Sequence, residues 1–328
     1  MSRTYELQPF LGEPLPVELV ARLYRIEVDD AGVTLRCGTD RHHPELQDYY
    51  GTVAETVFVP PEPGQDVEVR VDVWTSHVLR VRYLPDGPPA DEPSPVLTGR
   101  PDPGVRWTVH EDDDRVVLAT EAIELVVRRE PWRLEVHDRA DGALLWATKP
   151  VDIDGLRRPE RQWSPAEQRW LFLHRYAYPL GCTRGGRRAV FGSFDLRHDE
   201  HVYGFGESFG RLDKVGTAQR LWIQEAFSNA SPASYKQVPW YWSTRGYGLF
   251  VHTTQPLAYR VGDLEHAALS VVVEDAAELD LFVVAGRTAR EALPRYTALT
   301  GAPAVPPRWS LGLWMSRITY ASQDEVEQ

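Results

Sequence analysis

The chain has 328 residues, enough for about two domains and a large core. Its 42% hydrophobic and 26% charged content is that of an ordinary soluble protein, and 48 acidic against 36 basic residues give a net charge of −12, which argues against non-specific nucleic-acid binding. No apolar run approaches the ~20 residues needed to span a bilayer, and two cysteines, Cys37 and Cys182, are too few for a disulfide framework and lack metal-ligand spacing.

The N-terminus, Met1-Ser2-Arg3-Thr4-Tyr5-Glu6, lacks the charged and apolar regions of a signal peptide, so a cytoplasmic protein is the simplest expectation. From there most of the chain reads as strands. Val78–Tyr83, Trp132–Val136 and Leu257–Val261 alternate with period two. Val116–Ala119 and Ile123–Val127 face each other across Thr120-Glu121 as a hairpin would, and Asp141-Gly142 marks a turn before Ala143–Trp146. Strands at this spacing with few helices indicate an antiparallel sandwich. The proline-rich stretch Pro85–Pro103 and the charged stretch Arg157–Glu167 read as surface excursions, and Arg184, Arg187 and Arg188 as a solvated basic loop.

The pattern changes after a strand at Leu279–Val284. Thr288-Ala289-Arg290-Glu291 is a capping box, so a helix is expected to run to about Thr300, stopped by Gly301 and bent by Pro294. Ala302–Pro307 reads as a stiff linker. Trp309–Met315 then reads as a nearly continuous apolar strand of the kind buried on both faces. Ser322 followed by Asp324 and Glu325 looks like a helix start, and reaching Gln328 before that helix completes two turns reads as a cut within a larger fold.

The stretch Val202–His252 alternates aromatics, glycines and isolated charges. Such a surface suits sugars, whose C–H faces lie on rings and whose hydroxyls seek charged or amide partners. Gly206-Glu207-Ser208-Phe209-Gly210 matches a serine-hydrolase elbow, but that elbow needs a parallel strand before it and a helix after it. Gly204, Gly206 and Gly210 fall one residue off the dinucleotide fingerprint and lack a βαβ unit. His198-Asp199-Glu200-His201 and His42-His43 do not gather three ligands on one face, so no metal is expected. Glu207 and Asp213 are carboxylates within the stretch; a glycosidase needs two facing ones, and structural pairing with a neighbouring turn, Lys214 or Arg211 explains each equally well.

At these residues the chain resembles glycoside hydrolase family 31, which includes α-xylosidases and α-glucosidases. Tyr203–Gly216 follows its Y-G-F-G-E-x-F-x-x-L-x-x-x-G pattern, Tyr235–Tyr241 its Y-K-x-[IV]-P-[FW]-Y, and Arg245–Phe250 its R-G-Y-G-[VL]-[FL]. Arg295–Gly301 and Pro306–Arg317 look like its junction with a catalytic barrel. The resemblance implies a mainly β fold: a galactose-mutarotase-like β-sandwich over residues 1–286, a linking helix and Pro-rich linker over 287–306, and the first strand of a truncated (β/α)8 barrel over 307–328. A TIM barrel takes about 250 residues, so the catalytic Asp pair of a retaining α-glycosidase is expected downstream and no catalytic residue is assigned here.

The resemblance also implies a sandwich loop over the barrel mouth, carrying an acid that binds sugar hydroxyls. Glu225, in Leu221-Trp222-Ile223-Gln224-Glu225, is the nearest match, as Glu in place of the usual Asp. Trp314 and Arg317 are further substrate-binding candidates. The implied partner is an oligosaccharide with α-linked xylose or glucose, with no nucleic acid, membrane or cofactor; oligomeric state, homo-oligomers included, stays open. The alternatives are a non-catalytic carbohydrate-binding sandwich and a mutarotase-like epimerase, the latter needing a His and Glu pair in one groove.

Overall fold

A computed structural model of the chain describes residues 16–42, 44–49, 53–58, 62–89, 93–150, 160–164, 169–173, 178–185, 188–224, 234–263, 265–314 and 319–327. Most of them lie in strands, and the reason is visible along Glu62–Thr75. Val67, Val69, Val71 and Val73 are buried while Glu68, Arg70 and Asp72 between them face outward, the period-two alternation of a sheet with one covered face.

Thirteen strands form one sheet. From one end, in spatial order, they are Val202–Gly206, Gln237–Ser243, Tyr247–Val251, Leu279–Ala285, Val78–Leu84, Glu62–Thr75, Gly32–His42, Val17–Val28, Gly181–Thr183, Ala189–Asp195, Ala268–Glu274, Leu257–Val261 and Thr217–Leu221. Every pairing in it is antiparallel. The sheet bends until its two ends approach, with the Phe205 ring 4.7 Å from that of Tyr259 and Tyr241 5.9 Å from the same ring. Its inner face closes on a five-stranded sheet, from Leu144–Ala147 through Arg133–Asp138, Ile123–Arg128 and Arg115–Ala119 to Thr108–Glu111. Leu118, Leu125, Val127, Trp132, Leu134 and Trp146 carry that second layer into one continuous core with the large sheet.

The expected strands, the hairpin at Thr120-Glu121 (Leu118 opposite Leu125) and the turn at Gly142, with φ 74°, are all present. So is helix α1 (Ala289–Thr300). The Thr288 side chain accepts the Glu291 amide at its start, Glu291 accepts the Arg287 amide, and Gly301 ends it at φ 93°. Its buried face lies on Trp240, Phe250 and Val284 of the large sheet's outer side. Trp240 stacks on Tyr296 of α1 at 4.3 Å, and it can lie flat only because residue 248 is glycine: a Cβ there would sit 1.9 Å from the indole.

Three expectations need correction. Within the charged stretch Arg157–Glu167, Glu160–Ser164 is a strand paired with Arg169–Leu173, which runs parallel to Val53–Phe58 in a separate four-stranded sheet with Pro44–Tyr49. Arg184 is not a solvated cation: together with Arg41 it neutralises Glu18, whose carboxylate is wholly buried. The barrel strand expected at Trp309–Met315 is absent over its described part. Arg308–Leu311 forms one 3-10 turn, and Trp309, Leu311, Leu313 and Trp314 are exposed. An apolar run becomes a strand only when neighbours pair its backbone and cover its faces; no described residue does so here, and local i→i+3 bonds win. Met315 lies outside the described residues. The short helix α2 (Gln323–Glu327) follows Ser322 as expected.

Among its described residues the proline-rich stretch carries no strand, yet it is fastened down. The Thr98 and Gly99 amides donate to the Leu299 carbonyl at the end of α1, and the Ser94 hydroxyl bonds His252 Nε2 at 2.7 Å. Cys37 and Cys182 are buried free thiols. Among the described residues no helix is long and apolar enough to cross a membrane.

Candidate functional site

The glycine and aromatic stretch sits where the two ends of the large sheet meet. Val202–Gly206 pairs with Gln237–Ser243 in register as far as Gly204 opposite Tyr241, and then the register jumps so that Gly206 faces Gln237. The irregularity drives Phe205 to φ 67°, a conformation costly for a bulky residue. Its ring is 99% buried against Tyr241 and Tyr259, and that packing holds the backbone there. Glycine is required on either side. At Gly204 (φ 143°) a Cβ would lie 2.5 Å from the Trp240 carbonyl oxygen, and at Gly206 (φ 79°) 2.2 Å from that of Lys236.

The bulge turns the chain outward. Beyond it, residues 207–216 form a loop at the rim, laced to 234–236 by the Glu207 amide on the Lys236 carbonyl (2.8 Å) and by the Ser234 hydroxyl on the Glu207 carbonyl. The Gln224 amide donates to the Ser234 carbonyl at 3.1 Å, so residues 222–224 join the same rim. Phe209, Leu212, Trp222, Ile223 and Tyr235 stand exposed on it. Composition alone did not single these out as a group, because they come from three separated segments.

Glu207, Asp213 and Ser208, singled out in the sequence, each have a definite partner. Glu207 pairs with Lys236 at 3.2 Å, both well exposed. Asp213 accepts from His201 Nδ1 at 2.8 Å and from the Val202 and Val215 amides. Burial pushes its carboxyl up, but the His201 and amide hydrogen bonds outweigh that and hold it below the ordinary value. Glu207 and Asp213 are therefore separately committed and not a facing acid pair. Ser208 accepts from Lys214 Nζ at 3.0 Å in an antiparallel setting, without a histidine partner among the described residues, so the elbow reading fails. Lys214 is only 5% exposed, and burial lowers its pKa. No group of three His, Cys, Asp or Glu among the described residues is placed to hold a metal. Trp314 is exposed, its indole N–H donating to the Ser310 carbonyl at 2.7 Å and its ring beside Trp309. Glu225, Arg317 and His43 lie outside the described residues.

Behind the rim is a polar chain the sequence reading missed. Glu200, 4% exposed, accepts from the Ser243 hydroxyl at 2.5 Å, the Tyr247 hydroxyl at 3.4 Å and the Arg197 amide at 3.0 Å. Arg245, 3.9 Å from Glu200, donates to the Leu144 and Asp195 carbonyls and so ties the five-stranded sheet to the large one. Burial raises the Glu200 pKa despite these donors. A carboxyl raised on folding stabilises fully below its unfolded value, and that contribution is lost as pH rises through the folded one. Stability should therefore decline with pH on the side above about 4.5, and Glu200→Gln should flatten that limb whatever its absolute stability. Urea titrations of both proteins between pH 4.5 and 7 measure the slope; identical slopes would show that Glu200 ionises normally.

The family described as the glycosyl hydrolase 31 N-terminal galactose mutarotase-like domain matches residues 68–259. The chain is 38% identical over 146 residues to an α-xylosidase of Emericella nidulans, covering 44% of this chain and 17% of that protein. It is 25% identical over 267 residues to α-glucosidase 2 of Bacillus thermoamyloliquefaciens, covering 79% of this chain and 30% of the relative. Among solved structures, a cycloalternan-forming enzyme from Listeria monocytogenes in complex with a pentasaccharide superposes with a TM-score of 0.68 at 20% identity, over 92% of this chain and 24% of that one. An α-xylosidase from a soil metagenome complexed with xylose gives 0.63 at 19%, over 93% and 38%. The likeness to these structures is one of fold. The chain spans less than a third of the two sequence relatives' length, in their N-terminal portion.

Proposed function

The chain belongs to the glycosyl hydrolase 31 N-terminal galactose mutarotase-like domains, and from that premise we propose that it is the scaffold and substrate-covering part of a retaining α-glycosidase acting on α-xylosides or α-glucosides. In this reading residues 1–286 are the sandwich, 287–306 the link and 307–328 the lead into a (β/α)8 barrel that supplies the catalytic carboxylates. One barrel Asp attacks the anomeric carbon and forms a glycosyl-enzyme; a second protonates the leaving oxygen and then activates the water that releases the sugar. The observation that carries the reading is the rim. The signature Tyr203–Gly216 builds a bulge whose consequence is a row of exposed rings and isolated charges, Phe209, Trp222 and Tyr235 with Glu207 and Lys236.

Such a row gives a sugar a ring face and polar partners while the barrel would supply the reacting groups. Glu225 would approach the sugar hydroxyls from the adjoining segment, and Trp314 and Arg317 from the start of the barrel. The run Trp309–Trp314 would become a strand once barrel neighbours pair it, which accounts for its exposure here. The test is hydrolysis of 4-nitrophenyl α-xyloside and α-glucoside by this chain and by a version continuing downstream. The extended protein should turn over one of them, and this chain should stay at the buffer rate. Equal activity in the two would place the chemistry in the sandwich and overturn the proposal; oligosaccharide binding without hydrolysis in either would favour a non-catalytic sugar-binding sandwich.

A further inference from the structure

A second feature of the fold lies at mid-sheet, far in strand order from the rim. Val17–Val28 and Gly32–His42 pair with Leu23 opposite Cys37 and Arg25 opposite Arg36, so Tyr24 is an extra residue without an opposite number. A bulge of this kind re-aims one side chain, and here it leaves an aromatic ring 52% exposed on the outer face. The ring borders a depression of about 280 Å³ lined also by Arg36, Gln65, Asp66, Glu68 and the turn at residues 84–87. Asp66 lines the same depression as Tyr24, its carboxylate close enough to act on the phenol hydroxyl. Arg36 is held between Glu27 and Glu68, and both Arg36 and Glu68 line the depression. The Gln65 carbonyl accepts from Thr39, while its side-chain amide has no partner among the described residues.

The geometry points to a saccharide-binding site at Tyr24, separate from the rim, that holds one pyranose ring of a neutral oligosaccharide. The sugar's C–H face would lie on the phenol ring, and its hydroxyls would donate to Asp66 and Glu68 and accept from Gln65. The chemistry selects that class. Glu68 is paired with Arg36, and Asp86 with Arg184 and Arg188, so the fixed charges offset one another and favour no free ion. No group of three metal-ligating side chains is present among the described residues, and an apolar ligand would strip water from the carboxylates without replacing it. The choice of a sugar rests on the α-glycosidase reading; the existence of the site does not. Its role would be to retain a long substrate chain rather than to touch the reacting bond.

The experiment is saturation-transfer NMR of this chain with isomaltotriose and with a xyloglucan heptasaccharide, on the parent and on Tyr24→Ala, Tyr24→Phe and Asp66→Asn. Thermal melts establish that each variant is folded. Tyr24→Ala should weaken binding about tenfold, the loss expected for one stacked ring, while Tyr24→Phe keeps most of it and Asp66→Asn falls between. Unchanged binding in Tyr24→Ala, or no saccharide signal with the parent, would overturn the site. In the extended protein Tyr24→Ala should leave aryl-glycoside hydrolysis untouched; its loss would likewise overturn the proposal. Absence of hydrolysis in every version, with Tyr24-dependent binding intact, would sink the α-glycosidase reading alone.

Discussion

Replacing Gly206 by alanine should cost more than about 4 kcal/mol, a range reached only when a core or its backbone is broken, and should leave the chain without a cooperative unfolding transition at 37 °C. The added methyl would meet the Lys236 carbonyl at 2.2 Å, the Val238 nitrogen at 2.7 Å and the Gln237 Cα at 3.0 Å, all backbone atoms at the start of the partner strand or just before it. None can swing aside as a side chain would. Gly204→Ala should be as damaging for the same reason, with the Tyr241 Cα at 2.7 Å and a φ of 143° that side chains rarely adopt. Gly210→Ala is the control. Its φ of 120° is also unfavourable, but nothing lies within 4 Å of the new methyl, so only the conformational cost of about 1–3 kcal/mol applies. Circular dichroism melts of the three variants decide it. Equal, mild destabilisation in all three would mean that the bulge is not fixed by close backbone approach.

Asp280→Asn is the second large effect, at about 3–5 kcal/mol. Its carboxylate is 2% exposed, accepts twice from Arg80 at 2.9 and 2.7 Å, and bonds His252 Nδ1 at 2.6 Å. His252 in turn meets Ser94, so one buried acid organises the strand Leu279–Ala285, the strand Val78–Leu84 and the proline-rich segment. An amide leaves Arg80 without its counter-charge in a partly desolvated site, and that orphan charge dominates the loss. Burial pushes the Asp280 carboxyl up, but the hydrogen bonds from His252 and Arg80 outweigh it and set it below its ordinary value. A group lowered on folding stabilises above its unfolded pKa and loses that contribution as pH falls through the folded one. The variant's acid limb, below about pH 4, should therefore be shallower than the parent's. Chemical denaturation at pH 7 and along that limb measures both; a deficit under about 1 kcal/mol at pH 7 would show that the cluster behaves as a surface pair.

The strands were legible wherever one face of the sheet is covered, because burial on one side imposes alternation on the residues themselves, as at Val78–Tyr83 and Leu257–Val261. Helix α1 was legible from Thr288, Glu291 and Gly301, whose roles are local to one turn of backbone. Trp309–Met315 misled for the opposite reason. An apolar run states what the residues would tolerate, whereas a strand needs hydrogen-bonding neighbours, and Arg308–Leu311 folds on itself instead. The family signature marked the right stretch but not its inner logic. Tyr241, Arg245 and Tyr247 belong to the stretch whose aromatics and charges suit sugars, yet Tyr241 and Tyr247 are buried and Arg245 is pinned to two carbonyls behind the rim.

The sequence by itself determined the class of fold, the family and the turn chemistry, since periodicity, caps and glycines act over a few residues and leave their mark in order along the chain. Only the tertiary structure decided which charges are spent inside and which rings face out. Glu18, Glu200 and Asp280 meet arginines and hydroxyls up to 200 residues away. Phe209 and Trp222 are exposed because they stand on rim segments beyond the strand ends, and Tyr24 because a bulge in its strand turns it from the core. Burial depends on what the whole chain brings alongside a residue, and no local pattern carries that information.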